Sequence, residues 1–279
     1  MRQKAIGGYF SLELPYNENG EYHRDAIRLN SGRYCLEYVL RVKKYTKVYL
    51  PYLYCNYFGL MDEYVKIVTD RYAPNIIIDN TQAFFSQSLP EIDTFYTCRK
   101  FFGVADGAYL YTNKEADFDI PQDYSSSRML FLLDRLDKSA EEAFSDYHKS
   151  EDTLDHDEIK KMSKITQFIM SSICYKSIAD RRISNYTYLH DNLGSSNTLS
   201  VDLERKNVPM VYPFLSEDIN LRKKLIDNKV YVASYWPNVK NMSNLESVES
   251  QFTVNLIPIP IDQRYGNDDL NKILEIIGR

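Results

Sequence analysis

The chain has 279 residues and a formal net charge of −5. It is long enough to bury one large core or two modest ones, so a small fold stabilised by metals or disulfides is not required. The negative charge excludes the overall basic field with which proteins bind nucleic acids and acidic membranes. No stretch reaches the roughly 20 apolar residues of a membrane span, and the first residues lack the apolar core of a signal peptide.

The four cysteines are widely spaced and form no CxxC or Cys/His cluster. This usage predicts free thiols in a reducing compartment and indicates no metal site. We therefore expect a cytoplasmic protein whose partners are small molecules or other proteins.

Strands and helices alternate through the first part of the chain. A helix is predicted over 29–45, with Asn30 or Ser31 as N-cap, because apolar residues recur at helical spacing and basic residues follow at its end. The segment 47–54 has the composition of a strand, 59–72 is helical, and 75–80 is a short apolar run typical of a strand buried on both faces. This order predicts an α/β fold.

The second part of the chain contains longer helical segments. Residues 125–150 are predicted to be helical and 150–158 to form a solvated acidic loop. One long helix is predicted over 162–190, as a connector between two lobes. From about residue 196, short strands mix with helices at 216–229 and 267–277, which predicts a smaller α+β lobe. We expect a large domain over 1–185 and a small domain over 186–279.

Polar residues follow the apolar run at 75–78, where the predicted strand ends. Asp79 closes that run, and Gln82 follows three positions later. Ligands of α/β sheets bind at the carboxyl ends of the strands. An acid held there can pair with a cationic ring nitrogen, while the amide reaches a neighbouring oxygen. The alternative interpretation of Asp79 is an ordinary turn or capping residue.

Two further features suit a ligand that carries a phosphate and an aldehyde. Ser31, Gly32 and Arg33 begin a predicted helix, whose free N–H groups and dipole favour a phosphate, although ordinary capping also explains them. Lys100 follows a run of aromatic and β-branched residues, and two phenylalanines come directly after it. Apolar surroundings lower the pKa of an amine and favour the neutral form, which can form a Schiff base.

An anion site, an acid at a strand end and a lysine in apolar surroundings are together what pyridoxal 5′-phosphate (PLP) requires. The phosphate anchors the cofactor, and the acid keeps the pyridine nitrogen protonated so that the ring accepts electrons. The lysine forms the Schiff base. The sequence therefore predicts a PLP site.

The order of several segments resembles the DegT family of sugar aminotransferases, within the fold type I PLP enzymes. These segments are LNSGRYCLEYVLR, IIIDNTQAFF, FYTCRKFFGVADGAYL, KKMSKITQFIMSS followed by ADRR, and LIDNKVYVASYWPNV followed by LIPIPID. The resemblance covers most of the chain. It implies a three-layer α/β/α large domain, a smaller α+β C-terminal domain and a homodimer.

The resemblance also implies roles for individual residues. Ser31, Gly32 and Arg33 fall on the turn that holds the phosphate in that family. Asp79 and Gln82 fall on the motif that supplies the partner of the pyridinium nitrogen and a contact to the phenolic oxygen of the ring. Lys100 falls on the lysine that binds PLP.

The sequence departs from the family pattern at several points. At least one βα unit is missing between the segment PYLYC and the strand that ends in Asp79, so that the chain is either a shortened variant or lacks residues between 52 and 57. Tyr54 or Cys55 is expected to lie against the ring. The serine that contacts the phosphate ahead of the lysine is out of register, leaving Thr97 or Thr94 as candidates.

A further departure lies just before Met162. An asparagine from the partner subunit is expected there, and this chain has Lys160 and Lys161 instead. A lysine here either reaches a phosphate or belongs to a solvated helix start.

The resemblance implies transamination, in which Lys100 forms an internal aldimine and then acts as general base and acid, and Asp79 stabilises the electron-rich ring. The implied amino donor is glutamate, and the implied acceptor is a nucleotide-linked keto-sugar of polysaccharide biosynthesis. Tyr235, Trp236 and Arg264 are candidates for the substrate site; core packing and a surface turn are the alternatives.

Two other functions stay open. The missing βα unit favours a PLP-fold binding or regulatory protein without catalysis. A PLP enzyme of other chemistry, a dehydratase or lyase, shares the same motifs. Dehydratase relatives usually lack the lysine, so Lys100 favours transamination.

Overall fold

The computed structural model describes residues 12, 14–15, 17–45, 47, 53–199, 203, 207–239 and 247–278. The strands are β1 (Ile27–Leu29), β2 (Leu53–Cys55), β3 (Ile77–Asn80), β4 (Asp93–Thr97), β5 (Ala108–Tyr111), β6 (Val211–Leu215) and β7 (Leu256–Pro260). The helices are α1 (Gly32–Lys43), α2 (Asp62–Tyr72), α3 (Leu130–Asp137), α4 (Phe144–Asp155), α5 (Lys164–Ser171), α6 (Tyr175–Leu193), α7 (Leu221–Asp227), α8 (Val248–Asn255) and α9 (Asn267–Ile277).

The first five strands form one mixed sheet in the order β1-β5-β4-β3-β2. Strands β2, β3 and β4 are parallel neighbours, and β5 is antiparallel to both β4 and β1. Helix α2 is the crossover between β2 and β3, since a parallel connection needs a dozen or so residues. The predicted α/β fold is confirmed.

Helices cover both faces of this sheet. Helix α1 packs on one face, where Cys35 and Val39 join the buried cluster that contains Ile77 and Phe95. Helix α2 packs on the other face, where Val65 contacts a cluster with Ile78. Strand residues alternate between the two faces, so the apolar run at 76–78 serves both clusters. The large part of the molecule therefore has the expected three layers.

The second sheet pairs β6 with β7 in antiparallel register. It contacts α6, while α9 packs against both α6 and α7. Its buried residues, such as Tyr212 and Ile259, belong to the same core cluster as Phe84, Phe101 and Tyr109 of the large part. One apolar core thus joins the two sheets. The boundary at 185/186 stays a prediction, and α6 runs through that position without a break.

The long helix predicted over 162–190 is wrong. Helix α5 ends at Ser171, and α6 begins at Tyr175. The hydroxyls of Ser171 and Ser172 both donate to the carbonyl of Phe168, at 2.8 Å each. Serine side chains that bond the backbone in this way compete with the helical ladder and favour a break.

The acidic loop predicted over 150–158 is also wrong in part, because its first six residues complete α4. The helical prediction for 125–150 holds for α3 and the first part of α4, which a short non-helical connection separates. The reason is Leu154, which is 2% exposed. Its buried side chain stabilises the last turn of α4, although most of its neighbours in the sequence are charged.

The described part of the large sheet ends at β2, next to the segment where a βα unit is expected to be missing. Strand β2 runs through Asn56 directly into a 3₁₀ helix, Tyr57–Gly59, and Tyr52 lies outside the described residues. A single helix, α2, connects β2 to its neighbour β3. In the described part of the chain no strand pairs with the other edge of β2.

Candidate functional site

The N-terminus of α1 is built for close approach to the strand ends. Ser31 is the N-cap, as predicted, and its hydroxyl accepts from the Arg33 N–H at 3.2 Å. Gly32 is the first residue of the helix. A Cβ placed on it would lie 3.0 Å from the methyl carbon of Thr81 and 3.7 Å from the ring of Phe95. A side chain at this position would therefore fill the gap between the helix and the end of β3.

Asp79 lies next to that helix end, near the carboxyl end of β3. Its Oδ1 accepts from the backbone N–H of Thr81 at 2.8 Å, so Asp79 does form the turn that was the alternative interpretation. Cys55 and Phe95 are its register partners on the two neighbouring strands. The side chains of all three point to the α1 face of the sheet, and Asp79 thus combines the turn with a position in the candidate site.

Lys100 reaches the same point from the loop that follows β4, the neighbour of β3. Its ammonium donates to the hydroxyl oxygen of Thr81 at 3.2 Å. The residue as a whole is exposed, yet the protein packed around its ammonium lowers the pKa of Lys100 by desolvation. The negative charge of Asp79 opposes this shift. The predicted acid and the predicted lysine therefore lie on two sides of Thr81.

The loop that carries Lys100 is held by buried polar contacts that the sequence analysis missed. Asp106 is fully buried and accepts from the backbone N–H of Ser163 at 2.7 Å, from its hydroxyl at 2.8 Å, and from the hydroxyl of Thr166. Gly107 donates to the Asn30 carbonyl at 2.7 Å. The loop is thereby tied to the segment before α1 and to the start of α5. The only signal in the sequence was the pair Asp106-Gly107, which is also common in surface turns.

Of the two threonines proposed to contact a phosphate, only Thr97 shares the face of Asp79. Thr97 and Phe95 are two residues apart on β4 and therefore lie on the same face, whereas Thr94 points to the opposite face. The Thr97 hydroxyl is buried and lies 3.5 Å from the Gly107 carbonyl oxygen.

Tyr54 is not brought to the site. It alternates with Cys55 along β2, and its side chain packs with the cluster beneath α2 on the opposite face. A one-residue step along a strand reverses the direction of the side chain. Cys55, not Tyr54, is therefore the β2 residue beside Asp79, and burial raises the pKa of its thiol to about 12.

Gln82 and Arg33 engage protein groups in this structure. The amide oxygen of Gln82 accepts from the Phe58 N–H at 3.1 Å, which holds Phe58 at a φ of +58°. Arg33 donates to the carbonyl of Asp155 at 2.9 Å and pairs with its carboxylate at 3.0 Å. Gln82 therefore stabilises the loop after β2, and the Arg33 guanidinium is directed toward α4.

Arg264 is likewise held by its own loop. Its guanidinium makes two contacts to the Asp262 carboxylate, at 2.7 and 2.8 Å, and stacks on Tyr265. This is the surface turn that was the alternative interpretation. The same loop nevertheless touches the lysine segment, since Gln263 donates to the carbonyl of Phe101 at 2.8 Å.

Tyr235 and Trp236 come together in an aromatic cluster. The ring of Trp236 meets that of Tyr57 edge-on at 5.1 Å, and the ring of Tyr235 lies 5.6 Å from that of Phe58. Burial raises the pKa of Tyr57, and the charge of Asp79 adds to the shift. The backbone N–H of Phe58 bonds Gln82, so the cluster borders the candidate site. Tyr57 and Phe58 were missed, although the aromatic pair directly after β2 was a signal for them.

Helix α4 supplies two carboxylates to arginines near the site. Glu151 pairs with Arg99, the residue before Lys100, and Asp155 pairs with Arg33 at the start of α1. Burial lowers the pKa of the Arg99 guanidinium, and Asp155 is among the groups that oppose this. Lys160 pairs with Asp157 at 2.5 Å.

The described residues offer neither a metal site nor a membrane-spanning helix. These residues contain no group of three His, Cys, Asp or Glu side chains placed to hold a metal ion. None of the helices described is both long and apolar enough to cross a membrane.

No family model matches the sequence, and no curated protein matches it. Among solved structures, the chain is similar to the sugar aminotransferase CalS13 from Micromonospora echinospora, with 12% identity and a TM-score of 0.47. It is also similar to a DegT DnrJ EryC1 StrS aminotransferase from Brucella abortus, with 12% identity and a TM-score of 0.45. A third is PseC from Helicobacter pylori, an aminotransferase involved in the biosynthesis of pseudoaminic acid, with 13% identity and a TM-score of 0.46.

All three neighbours are aminotransferases. The similarity covers 81% of this chain in each case, and 66%, 62% and 65% of the neighbours. The chain therefore spans somewhat less than two thirds of their length. These neighbours are of the class that the sequence motifs resemble.

Proposed function

We propose that the protein is a PLP-dependent aminotransferase with its site at the α1 end of the large sheet. One observation carries the proposal: Thr81 contacts Lys100 through its hydroxyl and Asp79 through its N–H, and its methyl carbon lies 3.0 Å from the place of a Cβ on Gly32. A lysine of lowered pKa, a strand-end carboxylate and a helix N-terminus thus meet around one residue. This is the set of groups that PLP needs.

The residues present fit the cofactor. The N-terminus of α1, with Ser31 and Gly32, would hold the phosphate, and Gly32 lets this end of the helix lie close to Thr81, because a Cβ there would be 3.0 Å from the Thr81 methyl carbon. Asp79 would keep a proton on the ring nitrogen. When bound, PLP supplies the electron sink for reactions at the carbon that bears the amine.

Lys100 has two tasks in this proposal. Its amine would hold the cofactor covalently between turnovers and would move a proton at the substrate carbon during them. Both tasks need the neutral amine for part of the time, and desolvation lowers the pKa of Lys100 in that direction. Asp79 limits the shift, so the amine can take the proton back.

The finer assignments are also proposals. The amino donor is glutamate, and the acceptor is a nucleotide-linked keto-sugar of polysaccharide biosynthesis. Trp236 and Tyr57 are 40% and 41% exposed beside the site, and exposed aromatic faces suit the apolar face of a sugar or a base. We propose a homodimer in the cytoplasm.

A second candidate is a binding or regulatory protein that keeps the PLP fold without turnover. The end of the sheet at β2 and the contact of Arg33 with Asp155 favour it. A PLP enzyme of other chemistry, a dehydratase or lyase, shares the same residues. Measured activity separates these three functions.

The test uses the purified chain with added PLP. After borohydride reduction and digestion, we expect a pyridoxyl group on the peptide that contains Lys100 and on no other. Lys100→Arg removes this label, and Lys176→Arg, at an exposed ion pair on α6, leaves it in place. Label on a different lysine would overturn the site. Label on Lys100 without amino transfer from glutamate would favour the second candidate.

A further inference from the structure

Thr81 lies at the centre of the candidate site, yet no role was predicted for it. Its hydroxyl oxygen accepts from the Lys100 ammonium at 3.2 Å, and its backbone N–H donates to Asp79 at 2.8 Å. Its methyl carbon lies 3.0 Å from the position that a Cβ on Gly32 would occupy. Thr81 therefore bonds the lysine and the acid of the site and lies close to the start of α1.

These contacts fix the direction of the Thr81 hydroxyl. The Asp79 turn sets the backbone of residue 81, and the methyl group fills the space left by Gly32. A β-branched side chain has few rotamers open to it. With the methyl group against α1, the hydroxyl faces Lys100.

The hydroxyl affects the two states of Lys100 differently. A hydrogen bond accepted from the ammonium stabilises the charged form, whereas desolvation favours the neutral amine. When the proton leaves for solvent, the same hydroxyl can donate to the amine nitrogen, because it is both a donor and an acceptor. The contact can thus persist through the change of charge.

We propose that Thr81 is a positioning residue for Lys100: it keeps the amine beside Asp79 in both charge states and sets the pH at which the amine becomes neutral. The importance of that pH for catalysis rests on the proposed function. The effect of Thr81 on Lys100 is independent of the proposed function.

Two variants separate the parts of the side chain. Thr81→Val keeps the shape and removes the hydroxyl, and Thr81→Ser keeps the hydroxyl and removes the methyl group. The readout is trace acetylation of amines with acetic anhydride across the alkaline pH range, measured on the Lys100 peptide by mass spectrometry. Lys164, which is exposed at the start of α5, serves as the internal reference.

We expect Thr81→Val to lower the midpoint pH of Lys100 acetylation by about half a unit or more, because the ammonium loses an acceptor while desolvation continues. Thr81→Ser keeps the hydroxyl and should shift the midpoint less than Thr81→Val does. An unchanged midpoint in Thr81→Val would overturn the proposal. Equal shifts in both variants would also overturn it, since packing would then be responsible.

This experiment is independent of the proposed function, because acetylation needs no PLP. If the midpoint shifts as expected and PLP fails to label Lys100, the proposed function fails and the role of Thr81 stands. If PLP labels Lys100 and the midpoint stays unchanged in Thr81→Val, the proposed function stands and the role of Thr81 fails.

Discussion

At the residue scale, Asp79 is the most direct test of the proposed chemistry. In Asp79→Asn the side-chain carbonyl can still accept from the Thr81 N–H, so the turn should persist and PLP should still bind at α1. The ring nitrogen would lose its charged partner, and the half-reaction with glutamate should slow by about a hundredfold or more. Stopped-flow absorbance measures that step. Unchanged turnover would remove Asp79 from the mechanism.

His23 makes the stability of the protein depend on pH. It is 3% exposed, and its ring contacts the Phe84 carbonyl at 2.9 Å and the Tyr111 hydroxyl at 3.2 Å. Burial lowers its pKa from 6.5 to about 4. The unfolded chain therefore binds the proton more readily, and stability present above pH 6.5 is lost as the pH falls toward 4.

This shift corresponds to about 3 kcal/mol of unfolding free energy at most. Urea unfolding at neutral pH and at mildly acidic pH measures it. His23→Gln should lose less stability on acidification than the unaltered protein does, although its free energy of unfolding at neutral pH is lower. His156→Gln, at an exposed position, should behave as the unaltered protein does. Equal acid sensitivity in all three proteins would show that His23 is not the responsible group.

At the element scale, the loop between β4 and β5 depends on Gly107. Its φ is +114°, and an added Cβ would lie 2.8 Å from the Thr166 methyl carbon and 3.1 Å from the Cys98 sulfur. Gly107→Ala should cost about 2–4 kcal/mol of unfolding free energy, through backbone strain and overpacking together. Because the same loop carries Lys100, PLP labelling should fall as well.

Gly20 is the matched control for this substitution. Its φ is +58°, and nothing lies within 4 Å of an added Cβ. Gly20→Ala should cost only about 1 kcal/mol, from the left-handed backbone alone. Urea denaturation compares the two variants. Equal losses would mean that the contacts of Gly107 with Thr166 and Cys98 contribute nothing.

At the scale of the whole molecule, the end of the sheet at β2 determines how well the site is covered. In the described part of the chain, no strand pairs with the edge of β2 that faces away from β3. We expect an open pocket, weak retention of PLP and slow transamination. Dialysis should remove unreduced PLP, and absorbance of the retained fraction measures the loss. Full retention would show that another part of the chain, or a partner subunit, covers the cofactor.

The sequence by itself determined the local features. The apolar run at 75–80 predicted β3, and helical spacing with Asn30 or Ser31 as cap predicted α1. The acid at the end of β3 and the lysine in apolar surroundings could also be found, because each is marked by its immediate neighbours. Hydrophobic pattern and capping act over a few residues, so a single segment contains the whole signal.

Only the tertiary structure decided which polar groups meet. Arg33 bonds a carbonyl 122 residues away, and no local pattern marks that pairing. The direction of Tyr54 depends on the register of β2, where a step of one residue exchanges the two faces. Thr81 joins Lys100 to Asp79 because β3 and β4 are neighbours in the sheet. Contacts between distant segments depend on how the whole chain packs, and for this reason the sequence could name the parts of the site but not their arrangement.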